Sequence, residues 1–127
     1  MSAIPLYDDS DGVPTPHTRE DVRLTDISVR PYGDGRRVKL NFKLTPFLER
    51  PSVDITVTNA AGAEVASMSV IEAMDTEFDF TLHLRGSEPR GDHTLHLTLF
   101  YAASDAPDAH RQVVHESDLK FFIAAPS

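Results

Sequence analysis

The chain predicts an all-β fold: seven antiparallel strands in two packed sheets, preceded by an irregular arm. Three observations predict it. From Arg36 to Thr45 (RRVKLNFKLT), Val38, Leu40, Phe42 and Leu44 alternate with Arg37, Lys39, Asn41 and Lys43. A period of two puts an apolar row and a charged row on opposite faces of a strand. The same alternation returns from Thr76 to Arg85, where Asp79, Thr81 and His83 separate Phe78, Phe80, Leu82 and Leu84. Further runs recur at short spacing between Gly, Pro, Asn and Asp turns, the pattern of a two-sheet sandwich.

Taken in order, residues 1–21 read as an arm. Pro5, Pro14 and Pro16, with Asp8, Asp9 and Asp11, oppose regular structure and leave Ile4, Leu6 and Tyr7 to dock on the domain or on a partner. The domain is expected over 22–127. Its first strand, Val22 to Arg30, holds Leu24 in one phase and Ile27 and Val29 in the other, which predicts a bulge near Thr25 and Asp26. Pro31 ends it, and Tyr32-Gly33-Asp34-Gly35 turns into the second strand. Pro46 and Pro51 frame a loop. Ser52 to Asn59 is the third strand, with Val53, Ile55 and Val57 inward, and Gly62 suits a positive φ in the turn that follows. Glu64 to Ile71 is a poorly phased fourth strand. Residues 66–74 also hold helix formers, so a helical turn at Ile71 to Met74 competes. The fifth strand is Thr76 to Arg85. The sixth, His93 to Tyr101, turns His93, Leu95, Leu97, Leu99 and Tyr101 one way, and the seventh, Val113 to Ile123, turns Leu119, Phe121 and Ile123 inward.

A length of 127 residues suits one core. The net charge of -8 opposes nucleic-acid binding, which requires neutralised phosphates. With no cysteine, a disulfide scaffold, a thiolate metal site and a Cys nucleophile are excluded. The first residues lack a basic and apolar leader, and no apolar run is long enough to cross a membrane. The expectation is a cytoplasmic protein without a membrane partner.

Two stretches carry a resemblance. VDITVTNAAGAEV (Val53 to Val65) and PRGDHTLHLTLFY (Pro89 to Tyr101) resemble the third-to-fourth-strand hairpin and the sixth strand of immunoglobulin-like and fibronectin type III-like domains. The resemblance implies that the first, second and fifth strands form one sheet and the third, fourth, sixth and seventh the other. It implies non-catalytic binding or scaffolding by analogy. His93 stands where that family often has a corner tyrosine, and the cysteine pair and core tryptophan of antibody domains are missing.

Six histidines raise the question of a metal. His83 and His96 face outward from strands assigned to opposite sheets, His93 faces inward, and His110 and His115 lie in or beside a loop. No HExxH and no paired histidines on one face occur, so no metal is expected. DDSDG (Asp8 to Gly12) lacks the distal glutamate of a calcium loop. Arg90-Gly91-Asp92 matches an adhesive tripeptide, but a glycine turn before a strand explains it. Without GxSxG, a phosphate loop or GxGxxG, no cofactor and no catalysis are expected.

Two surfaces remain. Phe100 and Phe122 point away from the core in this phase and predict a shared exposed patch with Thr56, Thr58 and Thr98, either an interface or covered by the arm. Arg23, Arg30, Arg37, Lys39, Lys43 and Arg85 collect on the outer face of the other sheet, either for an acidic partner or as edge protection with Asp79 pairing across to the second strand. The functional reading is a non-catalytic interaction or assembly module that binds a protein partner or itself. A carbohydrate-binding or other ligand-binding module is the alternative, and a hydrolytic enzyme stands behind both.

Overall fold

A computed structural model describes residues 15–85, 91–102 and 111–124. They form seven strands: β1 (Leu24–Pro31), β2 (Arg37–Leu44), β3 (Ser52–Asn59), β4 (Glu64–Val70), β5 (Glu77–His83), β6 (Gly91–Ala102) and β7 (Arg111–Ile123). Two antiparallel sheets result, ordered β1-β2-β5 and β4-β3-β6-β7. The strands divide between the sheets as the sequence resemblance implied.

The core is the meeting of the predicted inward rows. Val38, Leu40, Phe42 and Leu44 of β2 face Val53, Ile55 and Val57 of β3 and Leu95, Leu97 and Leu99 of β6, all buried. In the β2–β5 register Leu40 opposes Phe80 and Phe42 opposes Phe78. The Phe42 and Phe78 rings stack at 5.0 Å, and Phe78 and Phe80 at 5.9 Å. Such cross-strand aromatic pairs hold register as well as burying area.

Irregularities fall where the phase broke in the sequence. The β1–β2 register shifts between Thr25 and Ser28, and Asp26 takes φ 51. That bulge lets Leu24 and then Ile27 and Val29 all reach the core. A second shift, between Val57 and Thr58 opposite β4, buries both Val65 and Ala66 and accounts for the poor phase of β4. The competing helical turn is not formed. Ala73 N–H donates to Pro51 O at 2.7 Å and Glu72 N–H to Ser52 Oγ at 3.0 Å, which draws this loop onto the start of β3 instead. In the β1–β2 turn Asp34 accepts from the N–H groups of Arg36 (3.0 Å) and Arg37 (3.2 Å) and from Arg37 Nε (2.7 Å). These donors, the Arg36 N–H first, hold its carboxyl below the usual carboxylate range.

Each side of the sandwich is closed by a hydrogen bond between sheets. Leu24 N–H donates to His115 Nδ1 at 2.9 Å, joining β1 to β7. Arg85 N–H donates to Val65 O at 2.8 Å, joining the chain after β5 to β4. The last residues read as arm are tied to the domain. His17 bridges Phe47 in parallel fashion, a 3-10 turn spans Arg19–Asp21, and Val22 is fully buried. Residues 1–14, with Ile4, Leu6, Tyr7 and the DDSDG run, lie outside the described residues, as do Arg90 of the tripeptide and His110.

Because Phe42 is central, Phe42→Ala should cost about 3–5 kcal/mol. Phe122→Ala should stay within about 0.5 kcal/mol. Chemical denaturation of the two variants checks both.

Candidate functional site

The expected Phe100/Phe122 patch does not form. Phe100 is 7% exposed and Phe122 62%. In the β6–β7 ladder Phe100 opposes Val113, whereas Phe122 opposes Asp92. Phe122 lies nine residue steps along β7 from Val113, about 30 Å of strand at roughly 3.3 Å each. Antiparallel pairing therefore sends the two rings to opposite ends of the sheet. Phe100 also lies outside the core cluster. The cover on it is Arg111, whose guanidinium sits 3.8 Å over the ring and reaches Asp54 at 2.5 Å. Asp54 in turn accepts from Ser69 Oγ at 2.7 Å.

Between the two ends the outer face is polar and half-buried. Thr56 opposes His96, Thr58 opposes Thr94, and Thr98 opposes Asp54. His96 is held between carboxylates, its Nδ1 on Asp118 and its Nε2 3.1 Å from Glu116. Asp118 chiefly, and Glu116 as well, favour the imidazolium and raise His96 above the ordinary histidine value. His115 is the opposite case. Its Nδ1 accepts from Leu24 N–H, so the ring proton is on Nε2. Burial first, and Arg23 second, push it below the ordinary value.

The basic residues of the other sheet are interleaved with acids. Lys39 meets Asp79 at 2.8 Å, Arg37 meets Asp34 at 2.7 Å, Arg85 meets Glu64 at 3.7 Å, and Lys43 lies 3.9 Å from Asp26. Arg23 donates to the carbonyls of Glu20 (2.7 Å) and Val22 (2.8 Å). Arg30 stands opposite Lys39. Most of this positive charge is neutralised within the chain, with Asp79 paired to β2 as the sequence suggested.

Two clefts lie at opposite ends of the four-stranded sheet. At the end where β6 stops, a cleft of ≈ 620 Å³ is lined by Arg19, Glu49, Ser52, Ile71, Glu72 and Tyr101, among others. Arg19 forks onto Glu49 at 2.8 and 3.0 Å and stacks 4.7 Å over Tyr101, whose hydroxyl donates to Glu49 O at 2.9 Å. At this end Leu48 and Ile71 are each 66% exposed and Met74 is 75% exposed. Sequence reasoning missed them because loop residues have no alternation to break. The only signal was large aliphatics inside PFLERP and IEAM.

At the other end a cleft of ≈ 490 Å³ is lined by Asn59, Asp92, His93, Thr94, Lys120 and Phe122, among others. His93 is 2% exposed and stacks at 5.3 Å on Phe121. Its Nδ1 is 2.9 Å from Gly91 O, which can only accept, so Nδ1 carries the proton. Nε2 is buried with no partner among the described residues. His93 thus bonds two residues back along its own strand.

The two shifted histidines should act on stability with opposite signs. His96, raised, contributes stability that is full below about pH 6.5 and lost as pH rises through its folded value. His115, lowered, contributes stability that is full above about pH 6.5 and lost as pH falls toward its folded value. Unfolding free energies measured against pH should accordingly fall less just below about pH 6.5 in His115→Gln, and less above about pH 6.5 in His96→Gln, than in the wild type.

No family model matches the chain, and no curated protein matches it in sequence. Among solved structures it is similar to part of the chitinase ChiW of Paenibacillus sp. str. FPU-7, a cell-surface-expressed multi-modular enzyme. That likeness has TM-score 0.55 and 14% identity, and covers 96% of this chain and 10% of that one. A fainter likeness, TM-score 0.45 at 15% identity over 82% of this chain, is to 16% of the β-glucuronidase of Ruminococcus gnavus. The chain thus spans a small fraction of these enzymes, and what it shares with the chitinase is a β-sandwich fold.

Proposed function

We propose that the chain is a fibronectin type III-like recognition module without a catalytic role, and that it holds a protein partner at the end where the β2–β3 and β4–β5 loops meet. The sheet orders β1-β2-β5 and β4-β3-β6-β7 support the type. One observation carries the binding reading. Leu48, Ile71 and Met74 are two-thirds or more exposed on two loops that backbone hydrogen bonds stitch together. Beside them the Arg19–Glu49 fork and Arg50 supply charge. Exposed aliphatics with a polar border are the composition of a protein interface.

A second reading has its own observation. The opposite cleft sets the exposed Phe122 ring beside Asn59, Asp92, Thr94 and Lys120, an apolar platform with hydrogen-bonding groups, which is the chemistry that holds a sugar.

Affinity capture with quantitative mass spectrometry separates the two readings. A partner of the loop end should be retained by the wild type and by Phe122→Ala and lost, by tenfold or more, from Leu48→Glu/Met74→Glu, since two central apolar contacts are each worth about 1–2 kcal/mol. Binding on a glycan array that Phe122→Ala abolishes and the loop variant keeps would replace the first reading with the second.

A further inference from the structure

We propose that this chain forms a two-fold dimer by pairing the free edge of β4, from Ala66 to Val70, with the same edge of a second copy.

Among the described residues, β4 pairs with β3 and stands at one edge of its sheet. The Val65 carbonyl is used by Arg85 N–H. From Ala66 onward no strand pairs with the outer side of β4 among the described residues. A row of unpaired N–H and C=O groups is a template for another strand unless it is blunted.

The other three edges are blunted. β1 carries a bulge at Asp26, Arg30, and Pro31 at its end, and it is tied to β7 through His115. β5 carries Glu77, Asp79 and His83. β7 carries Arg111, Glu116, Asp118 and Lys120. By contrast, Val65 to Val70 reads V-A-S-M-S-V, with no charge, no proline and no glycine. In a chain of net charge -8, an uncharged edge is the place where two copies can approach.

The register is self-complementary. Antiparallel pairing centred on Met68 sets Ala66 against Val70, Ser67 against Ser69 and Met68 against itself, and each pair keeps to one face. Ser67 and Ser69 are exposed on the outer face, while Ala66 is buried and Met68 and Val70 pack on the core. The pairing therefore extends the hydroxyl row outside and the apolar row inside. It makes one eight-stranded sheet, four strands from each copy. In the same register Glu64 falls opposite Glu72, so added salt should strengthen the dimer.

This inference goes beyond the loop-end reading and does not depend on it. The chain has no cysteine, so a single introduced thiol reports directly. In the full chain, Met68→Cys should give a covalent dimer under mild oxidation, because the central pair brings two Cβ atoms to about 4.5–5.5 Å. Val113→Cys, on the β7 edge, should stay monomeric. Sedimentation of the wild type should give twice the mass of Ser67→Lys/Ser69→Lys, which sets lysines opposite one another; Ser67→Lys alone serves if the double variant fails to fold. Leu48→Glu/Met74→Glu should remain dimeric, which separates this proposal from the loop-end interface. A wild type that is monomeric at every concentration, or equal cross-linking at positions 68 and 113, overturns it.

Discussion

The structure depends on the burial of one row of side chains. Val38, Leu40, Phe42 and Leu44 sit on the middle strand of the three-stranded sheet, flanked by β1 and β5 and facing β3 and β6. Removing their apolar surface from water supplies the main favourable contribution to folding. The Phe42, Phe78 and Phe80 rings hold the β2–β5 register, because a slip of one residue would turn each of them to solvent. Once both inner faces are committed to this row, the surface left to meet other molecules is that of the outer faces, the edges and the two ends.

The polar groups that are drawn inside lie toward the ends and sides of the sandwich, where the ladders stop. Ser52 and His93 are the buried polar side chains among the described residues. Ser52 takes the Glu72 N–H and anchors the β4–β5 loop. His115 takes the Leu24 N–H, which has no strand to pair with on that side. His93 bonds locally, and its buried Nε2 has no partner among the described residues. Each of the first two completes a backbone donor that the sheets leave over, which is a common task for a side chain at a strand end.

The surface is arranged around local neutralisation. Acids answer the cations of the three-stranded sheet, Asp54 answers Arg111, and two carboxylates hold His96. Exposed pairs of this kind contribute little to stability, about 0–1 kcal/mol each. Their effect is on association, since a compensated face neither attracts nor pairs edge to edge. The apolar loop end and the uncharged β4 edge stand out against that background, and they are separate features: one is a set of side chains on loops, the other a row of backbone groups.

Much of the fold was legible in the alternation itself. The period of two in β2, β3, β5 and β6 determined which side chains face inward, and the broken phase around Thr25 and Asp26 located the bulge, because each residue's side is a local consequence of pleated geometry. The division of strands between sheets was legible only by resemblance. The sequence could also say that Phe100 and Phe122 point outward, but not that they lie at opposite ends of one ladder or that Arg111 covers one of them. Strand pairing and a long side chain folded over a ring are contacts between residues far apart in the chain, and one-dimensional periodicity holds no record of them. For the same reason the cluster of Leu48, Ile71 and Met74, and the exposure of β4 as an edge, were decided by the tertiary structure alone: a loop has no phase, and a strand becomes an edge only when the sheet around it is complete.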